Sequence, residues 1–434
     1  MSRSSLYPPS VDPGFPCLGP VPTGWTRTTF GSALEKVERP LDLEPDRKYR
    51  LVTAKRSRGG IVLRSALLGS EILTKTQFAA RAGDFLISRR QIIHGACGVV
   101  PEDLDGAVVS NEYSTLRTRP GLLMDYLRHY CHTPYFQRTC FHSSHGVDVE
   151  KMIFKIDEWL AREVDLPPAE EQRKIAAILS SVDDAIEASQ AVIDQLQVVK
   201  KAMMAELLTK GLPGRHKRFK KTEIGELPEE WEVVPLDAWI APGRPICYGI
   251  LMPGQGHPGG VPVIKVKNIK NGLIDSSDLL LTSPEIDSQY ARSRLRPMDV
   301  LLTIRGTTGR VARVPAELAN ANITQDTARL SIRTEISTNY AFYCLQSELS
   351  QRQIQDHTRG QAVKGINIGD VRQLRLPLPG QKEQEEIAAF FEAMALCDEQ
   401  NRLELEALRS AKSALMSVLL TGEVRVRVDE EAAA

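Results

Sequence analysis

Two stretches of the chain place apolar residues at alternating steps of four and three positions, which is the spacing of a coiled-coil seam. The first stretch starts at Ile175 and the second at Ile387. Each covers about 40 residues and predicts a helix of about 60 Å at 1.5 Å per residue. The apolar seam residues are Ile175, Leu179, Val182, Ile186, Ile193, Leu196, Met203 and Leu207 in the first stretch, and Ile387, Phe391, Met394, Leu405, Leu408, Leu415 and Leu419 in the second.

Polar residues interrupt both seams. Ser189 and Lys200 do so in the first stretch, and Asp398, Asn401 and Lys412 do so in the second. Polar seam residues lower stability but fix the register and the choice of partner helix. Two matching seams in one chain favour pairing with each other or with the helices of a partner. The alternative is two independent amphipathic helices, each packed on its own domain.

The two stretches belong to an internal repeat. Residues 166–209 match residues 378–421 without a gap at an offset of 212 positions, so that Glu171-Gln172 falls on Glu383-Gln384. Residues 49–62 align with residues 261–274 at the same offset, and both alternate apolar and basic residues before a glycine. This pattern predicts a strand, a turn and a second strand in each half. A period this long indicates two duplicated modules rather than a solenoid.

The repeat gives the domain plan of the 434-residue chain, which is long enough for two or three domains. We predict an α+β protein in which two mixed α/β domains are joined by two long antiparallel coiled-coil helices, related by a pseudo-two-fold axis. The predicted segments are a disordered tail (1–22), a first globular domain (23–165), a first helix (166–209), a basic linker (210–221), a second globular domain (222–377), a second helix (378–422) and a tail (423–434).

Charge identifies the candidate ligand surface. Lysine and arginine together number 55, as do aspartate and glutamate, so the net charge is zero and only local basic patches can attract nucleic acid. Basic residues cluster at the aligned hairpins of both halves, where they could neutralise phosphates or pair with base edges. Solvated charged hairpins are the alternative. The candidate DNA-binding residues are Lys55, Arg56, Arg58, Arg89, Arg90, Lys265, Lys267, Asn268, Lys270, Asn271, Arg305 and Arg310.

Catalytic signatures are missing from the sequence. It has no Gly-x-x-x-x-Gly-Lys-Ser/Thr loop for a nucleotide and no Asn/Asp-Pro-Pro-Tyr/Phe tetrapeptide for a target base. We therefore predict no catalytic residue. A possible zinc cluster has a spacing that fits no common site, so no metal is expected. Its members are Cys131, His132, Cys140, His142 and His145.

The expected compartment is the cytoplasm, with no membrane partner. No apolar run of eighteen residues is present, and residues 1–22 lack the apolar region of a secretory signal. The seven cysteines are scattered and contain no Cys-x-x-Cys pair, which fits a reducing environment.

The repeated blocks resemble the specificity subunits of type I restriction–modification systems. The block from Leu166-Pro167-Pro168 to Leu207-Leu208-Thr209 resembles the central conserved region of that family. The block from Leu376-Pro377-Leu378-Pro379 to Leu420-Thr421-Gly422 resembles its distal conserved region. Ile224-Gly225-Glu226-Leu227-Pro228 with Trp231 is similar to its domain-opening motif.

This resemblance implies a function. Two domains would each read one half of a split double-stranded DNA site, and the paired helices would set their separation. Two modification subunits would transfer the methyl group and restriction subunits would translocate and cleave DNA, so S-adenosylmethionine, ATP and Mg are expected on the partner subunits and no cofactor on this chain. The alternative function is a coiled-coil adaptor whose globular domains bind proteins.

Overall fold

The computed structural model describes residues 7–8, 11–360 and 364–427. The chain divides into two compact units. The first unit comprises Met1–Ser189 and Glu404–Ala434, and the second comprises Gln190–Leu403. Each unit therefore contains one end of both long helices, because the unit boundaries fall inside them.

The first unit combines short helices with mixed β-sheet. Its strands and helices are β1 (Thr26–Thr29), α1 (Phe30–Ala33), β2 (Leu34–Lys36), β3 (Pro40–Leu41), β4 (Lys48–Ala54), β5 (Ile61–Leu68), β6 (Gln77–Ala79), β7 (Phe85–Ser88), β8 (Cys97–Val99), β9 (Val108–Ser110), β10 (Tyr113–Thr118), α2 (Met124–Tyr130), α3 (Pro134–His142), β11 (Ser144–His145), β12 (Ile153–Phe154), α4 (Ile156–Leu160), β13 (Glu163–Leu166) and the start of α5 (Ala169–Lys210). The strand orders of its larger sheets are β2-β10-β7-β8 and β3-β6-β9-β4-β5.

The second unit has the same kinds of elements. After the end of α5 they are β14 (Phe219–Thr222), β15 (Gly225–Pro228), β16 (Glu232–Pro235), β17 (Cys247–Tyr248), β18 (Val261–Ile264), β19 (Ile269–Lys270), β20 (Leu273–Ile274), β21 (Leu280–Thr282), α6 (Pro284–Gln289), β22 (Val300–Thr303), β23 (Val311–Arg313), β24 (Asn322–Ile323), β25 (Thr327–Leu330), α7 (Thr338–Gln346), α8 (Glu348–His357), α9 (Ile368–Gln373), β26 (Arg375–Leu378) and α10 (Gln381–Leu419). Its larger sheets have the orders β17-β25-β22-β23 and β21-β18-β24.

The two units share a framework of strand pairs. In the first unit β1 pairs with β13 antiparallel, and in the second β16 pairs with β26 in the same way. Each unit also has one parallel pair, β4 with β9 and β18 with β24. Each long helix begins directly after the closing strand β13 or β26, so the framework fixes where the helix starts.

The predicted strand–turn–strand pattern holds in the first unit and differs in the second. Residues 49–62 form most of β4, a tight turn and the start of β5. In the second unit β18 ends at Ile264, a 3₁₀ turn follows at Val266–Asn268, and a separate small hairpin is formed by β19 and β20. The second unit therefore presents its basic residues on two consecutive turns rather than on one.

The long helices have nearly the extents that the sequence predicts. All predicted seam residues are buried or half-buried. Near the helix ends the seams pack into globular cores: Ile175 and Leu179 join the core of the first unit with Leu419. Leu207 joins the core of the second unit with Ile387. Part of each seam therefore stabilises its own globular domain.

Within each unit the two helix segments run in opposite directions. In the first unit the ammonium group of Lys174 donates to the carbonyl oxygen of Arg427, and Lys412 forms an ion pair with Asp183. The residue number thus falls along α10 as it rises along α5.

The repeated Glu-Gln pair anchors the start of each long helix. Gln172 accepts a hydrogen bond from the backbone N–H of Leu123 (2.8 Å), and Gln384 accepts one from Ser337 (2.9 Å). Leu123 precedes α2 and Ser337 precedes α7, so the glutamine ties the helix start to the same neighbouring helix in each unit. Both glutamines are buried, which explains why the repeat retains this residue.

Within the segment 1–22, predicted as a disordered tail, Tyr7, Gly14 and Phe15 contact α3. The ring of Tyr7 stacks on Phe141 at 4.6 Å, and Phe15 stacks on His142 at 5.0 Å. The carbonyl oxygen of Gly14 lies 3.0 Å from Nε2 of His142. Aromatic residues in this segment therefore give it packing that its Pro, Ser and Gly content did not predict.

None of the helices in the described part of the chain is both long enough and apolar enough to cross a membrane.

Candidate nucleic-acid interface

In the first unit, the basic turn between β4 and β5 is held against the loop after β7. Ser57 and Arg58 have φ values of 55° and 59°, and the N–H of Arg58 donates to the carbonyl of Gly95 at 2.9 Å. Arg56 donates to Gln91 (2.8 Å) and to Glu150 (3.2 Å). Lys55 is exposed. The turn thus presents cations to solvent on a fixed backbone.

Arg89 and Arg90 follow β7 directly. The Nε of Arg90 donates to the Glu112 carboxylate at 2.7 Å, and this contact raises the pKa of Arg90. Arg89 is half-buried, and its Nη1 reaches the carbonyl of Asn111 at 3.5 Å. Arg90 is therefore exposed but already paired with a carboxylate.

In the second unit, the structure disagrees with the prediction that Asn268 reaches base edges. Asn268 is 3% exposed. Its side-chain oxygen accepts from the N–H of Lys265 (3.0 Å), and its amide nitrogen donates to the carbonyls of Asp275 and Asp278 (3.2 Å each). Its amide is thus occupied in holding the turn together. Asn271 is exposed and lies in the β19–β20 turn with a φ of 51°.

A cavity of about 650 Å³ gathers several predicted cations of the second unit. Lys267, Lys270, Arg305 and Arg310 line it. Arg310 is half-buried, and its Nη1 donates to the carbonyls of Val266 and Ile269, so it mainly supports the turn. Lys265 lines a separate neighbouring cavity.

The same cavity contains carboxylates. Asp275, Asp278 and Asp326 line it beside the four cations. Asp278 forms an ion pair with Lys267, which lowers the pKa of that carboxyl group. The site is therefore a mixed-charge surface able to accept and donate hydrogen bonds, not a uniformly positive groove.

A second cavity of about 850 Å³ lies on the other side of Arg305 and is lined by residues that sequence reasoning missed. Its lining includes Tyr248, Arg292, Gln325 and Asn367. The guanidinium of Arg292 lies 5.7 Å from the centre of the Tyr248 ring. No repeat, spacing or charge pattern in the sequence singles out these residues.

The cysteine and histidine cluster does not form a metal centre. Among the described residues, no group of three or more His, Cys, Asp and Glu side chains is placed to hold a metal ion. Cys131 and Cys140 are buried in the core of the first unit. His145 pairs with Glu158 at 2.6 Å, while His142 contacts the segment around Gly14. These residues are therefore used in packing and local hydrogen bonds.

Comparison with known proteins identifies similar sequences. Residues 256–408 match the family model described as the type I restriction modification DNA specificity domain. The chain is 32% identical over 266 residues to the EcoBI type I restriction enzyme specificity subunit of Escherichia coli, covering 58% of this chain and 56% of that protein. It is 33% identical over 274 residues to the putative MjaX specificity subunit of Methanocaldococcus jannaschii, covering 61% and 60%. The matches span less than two thirds of either relative's own length.

A solved structure shares the fold. That structure is described as showing the structural basis of complex assembly and conformational transition of the type I R-M system. It superposes on the present chain with a TM-score of 0.59 at 19% sequence identity. The match covers 94% of this chain and 100% of that one. Its arrangement of helices and strands is thus similar to that of the present chain.

Proposed function

We propose that the chain is a specificity subunit of a type I restriction–modification system, that it is the DNA-recognition component of that system, and that it performs no chemistry itself. The family model over residues 256–408 and the 32–33% identity to two specificity subunits support this proposal. The globular segments 23–165 and 222–377 each read one half of a two-part site on double-stranded DNA. The long helices set the distance between the two readers.

One repeated observation carries this proposal. In each unit, the strand β7 or β22 leads into an exposed arginine beside a basic turn, Arg90 in the first unit and Arg305 in the second. Lysine and arginine neutralise phosphates, and arginine can also pair with two acceptors on guanine. The opposite direction of the helix segments within each unit supports an antiparallel coiled coil built by duplication.

The helices are also the proposed docking surface for two modification subunits, with restriction subunits joining the complex. A pseudo-two-fold axis would offer two equivalent surfaces, which suits methylation of both DNA strands. S-adenosylmethionine, ATP and Mg belong to those partner subunits in this proposal.

Exchange of one reader tests the proposal. Residues 23–165 would be replaced by the corresponding segment of a relative and the chain co-expressed with its modification subunits. Sequencing of methylated genomic sites should show one half of the recognised site changed and the other half retained. The purified chain alone, incubated with labelled S-adenosylmethionine and DNA, should transfer no methyl group. A change in both half-sites, or methyl transfer by the isolated chain, would contradict the proposal.

A further inference from the structure

The backbone of Arg305 is fixed at several points. The N–H groups of Ile304 and Arg305 donate to the carbonyl of Asp326 (2.8 and 3.3 Å), and Arg305 forms a β-bridge with Gly365. A Cβ atom at Gly365 would lie 3.1 Å from the carbonyl oxygen of Ile304 and 3.2 Å from Cγ of Arg305. A side chain at Gly365 would therefore press on Arg305, and the hydrogen bonds and the β-bridge leave the Cα of Arg305 little freedom to move.

The side chain of Arg305 is oriented by a neutral partner. Its Nη1 donates to Oε1 of Gln325 at 3.0 Å. Gln325 is itself held, because its N–H donates to the carbonyl of Ile250 at 2.9 Å. Within residues 7–8, 11–360 and 364–427, the other guanidinium nitrogens of Arg305 and the amide nitrogen of Gln325 have no hydrogen-bond partner. Arg305 lines both large cavities, so these donors lie where a ligand could reach them.

The equivalent arginine of the first unit is held differently. Ser88 pairs with Tyr113, and Thr303 pairs with Thr327, at the ends of matching strands. This register makes Arg90 the counterpart of Arg305. Arg90, however, donates to the carboxylate of Glu112, whereas Arg305 donates to an amide.

This difference in hydrogen-bond partner decides which of the two arginines is available to bind a ligand. An ion pair with a carboxylate neutralises the guanidinium and occupies its planar edge, whereas an amide orients the group and leaves its charge. The cavity beside Arg305 sets Asp275, Asp278 and Asp326 among its four cations, so it is a mixed-charge surface and not a uniformly positive phosphate site. The planar donor edge is better matched to the O6 and N7 acceptors of guanine.

We propose that Arg305 and Gln325 act together as a base-reading element of the second unit, with Arg305 pairing with a guanine and Gln325 fixing the plane of its guanidinium. Gln325 is a positioning residue in this scheme, and its free amide nitrogen can donate to an acceptor on the neighbouring base. The inference rests on the proposed DNA-recognition function.

The test uses the chain co-expressed with its modification subunits and maps methylated sites across the host genome by sequencing. Arg305→Lys keeps the charge and removes the two-pronged donor edge, and Gln325→Glu recreates the carboxylate partner found beside Arg90. Each should relax or change one guanine-containing position in one half-site, with discrimination there falling about 5- to 150-fold. Arg333→Lys is the matched control. It alters an exposed arginine of the same unit that pairs with Glu335 and lines neither cavity, so the recognised site should not change.

Other outcomes would overturn the inference. Weaker methylation at every site with an unchanged recognised sequence would show that Arg305 contacts a phosphate. If a variant abolishes methylation, binding of the purified complex to a duplex carrying the wild-type site and to one with that guanine replaced decides the matter. Lost discrimination between the two duplexes supports base reading, whereas weaker binding to both duplexes with the same preference for the wild-type site contradicts it. If the wild-type complex methylates no two-part site, the proposed function itself fails. That result is distinguishable from a failure of the Arg305 proposal, because it appears without any substitution.

Discussion

Each unit has a buried glutamate near the start of its long helix, Glu171 in the first unit and Glu383 in the second. Both accept a hydrogen bond from a tryptophan indole, but their remaining partners differ. Glu171 accepts from the indole N–H of Trp25 at 3.2 Å, and Glu383 accepts from that of Trp231 at 3.1 Å. Glu171 also binds Arg425 through two contacts of 2.7 Å. The repeat has therefore kept the carboxylate and the tryptophan and changed the other side chain that contacts the carboxylate.

In the second unit His216 replaces that arginine. Its Nε2 lies 2.9 Å from the Glu383 carboxylate and its Nδ1 lies 3.1 Å from Glu230. The side chain of His216 is 7% exposed, whereas that of Arg425 is 39% exposed. In both units the residue comes from the segment that follows the other long helix, so this segment closes the unit around the helix start. The contact of His216 with its glutamate is therefore more shielded from water than the contact of Arg425 with its own.

The largest expected effect comes from removing these carboxylates. Glu383→Ala should lower the free energy of unfolding of the second unit by about 3–5 kcal/mol, because it leaves the indole N–H of Trp231 and the Nε2 atom of His216 buried without their partner, although Nδ1 of His216 keeps Glu230. Glu171→Ala should cost the first unit less, about 1–3 kcal/mol, because Arg425 can turn toward water. Urea unfolding followed by peptide-resolved hydrogen exchange measures each unit separately.

Glutamine at the same positions is the matched control. Glu171→Gln and Glu383→Gln keep an acceptor for the tryptophan and should recover part of the loss. Equal losses for the two alanine variants would show that the difference in exposure between Arg425 and His216 does not set the difference in stability between the units.

A smaller effect on stability is expected from the titration of His129, which belongs to the first unit. His129 of α2 is 2% exposed and lies 3.1 Å from Ser180 on α5. Burial lowers the pKa of His129 to about 4, with Lys412 acting in the same direction and Asp183 opposing it. Counting from the matched residues Leu123 and Ser337, the equivalent position in α7 is Tyr343. The second unit therefore has no histidine at this helix contact.

The direction of the pH effect follows from the lowered pKa. Below the ordinary histidine pKa of about 6.5, His129 takes up a proton in the unfolded chain but not in the folded unit. The folded first unit therefore has its full stability above about pH 6.5 and loses part of it as the pH falls toward 4. The loss should reach about 2–3 kcal/mol at pH 4. Hydrogen exchange of α2 and the start of α5 between pH 7 and pH 4 measures it. His129→Tyr, which installs the residue found in the second unit, should flatten the profile; an unchanged profile would assign the dependence to other groups.

Sequence periodicity predicted the long helices well because their seams are set by spacing alone. About eleven helical turns of regular apolar placement outweigh any single substitution, and so α5 and α10 begin within three residues of the predicted positions. The Glu-Gln pairs were detectable as a repeat, but their partners, Leu123 and Ser337, were not. Those contacts connect residues about 50 positions apart and depend on the completed strand framework.

The candidate site was less predictable because composition does not report where a side chain points. Asn268 was selected for its amide, yet the turn at Val266–Asn268 buries that amide in its own backbone. Gln325 was overlooked because an isolated glutamine before a strand carries no pattern. Its contact with Arg305 at 3.0 Å depends on the course of the loop after β22, which the sequence does not give.

The smallest expected difference concerns two lysines at equivalent seam positions, Lys412 and Lys200. Lys412 pairs with Asp183, and the two side chains are 20% and 36% exposed. Lys200 instead lies over the ring of Tyr343 at 5.7 Å, and burial lowers its pKa. Lys412→Met should therefore destabilise the first unit by about 0.5–1 kcal/mol, the usual value of a partly exposed ion pair. Lys200→Met should change the free energy of unfolding of the second unit by less than about 0.5 kcal/mol, because removing the cost of burying a charge offsets the lost cation–π contact.

Urea unfolding at low and high salt separates the two lysines, since the effect of Lys412→Met should shrink at about 1 M salt, where charges are screened within about 3 Å. A larger loss for Lys200→Met than for Lys412→Met would mean that the ring contact, and not the ion pair, is the stronger of the two seam interactions.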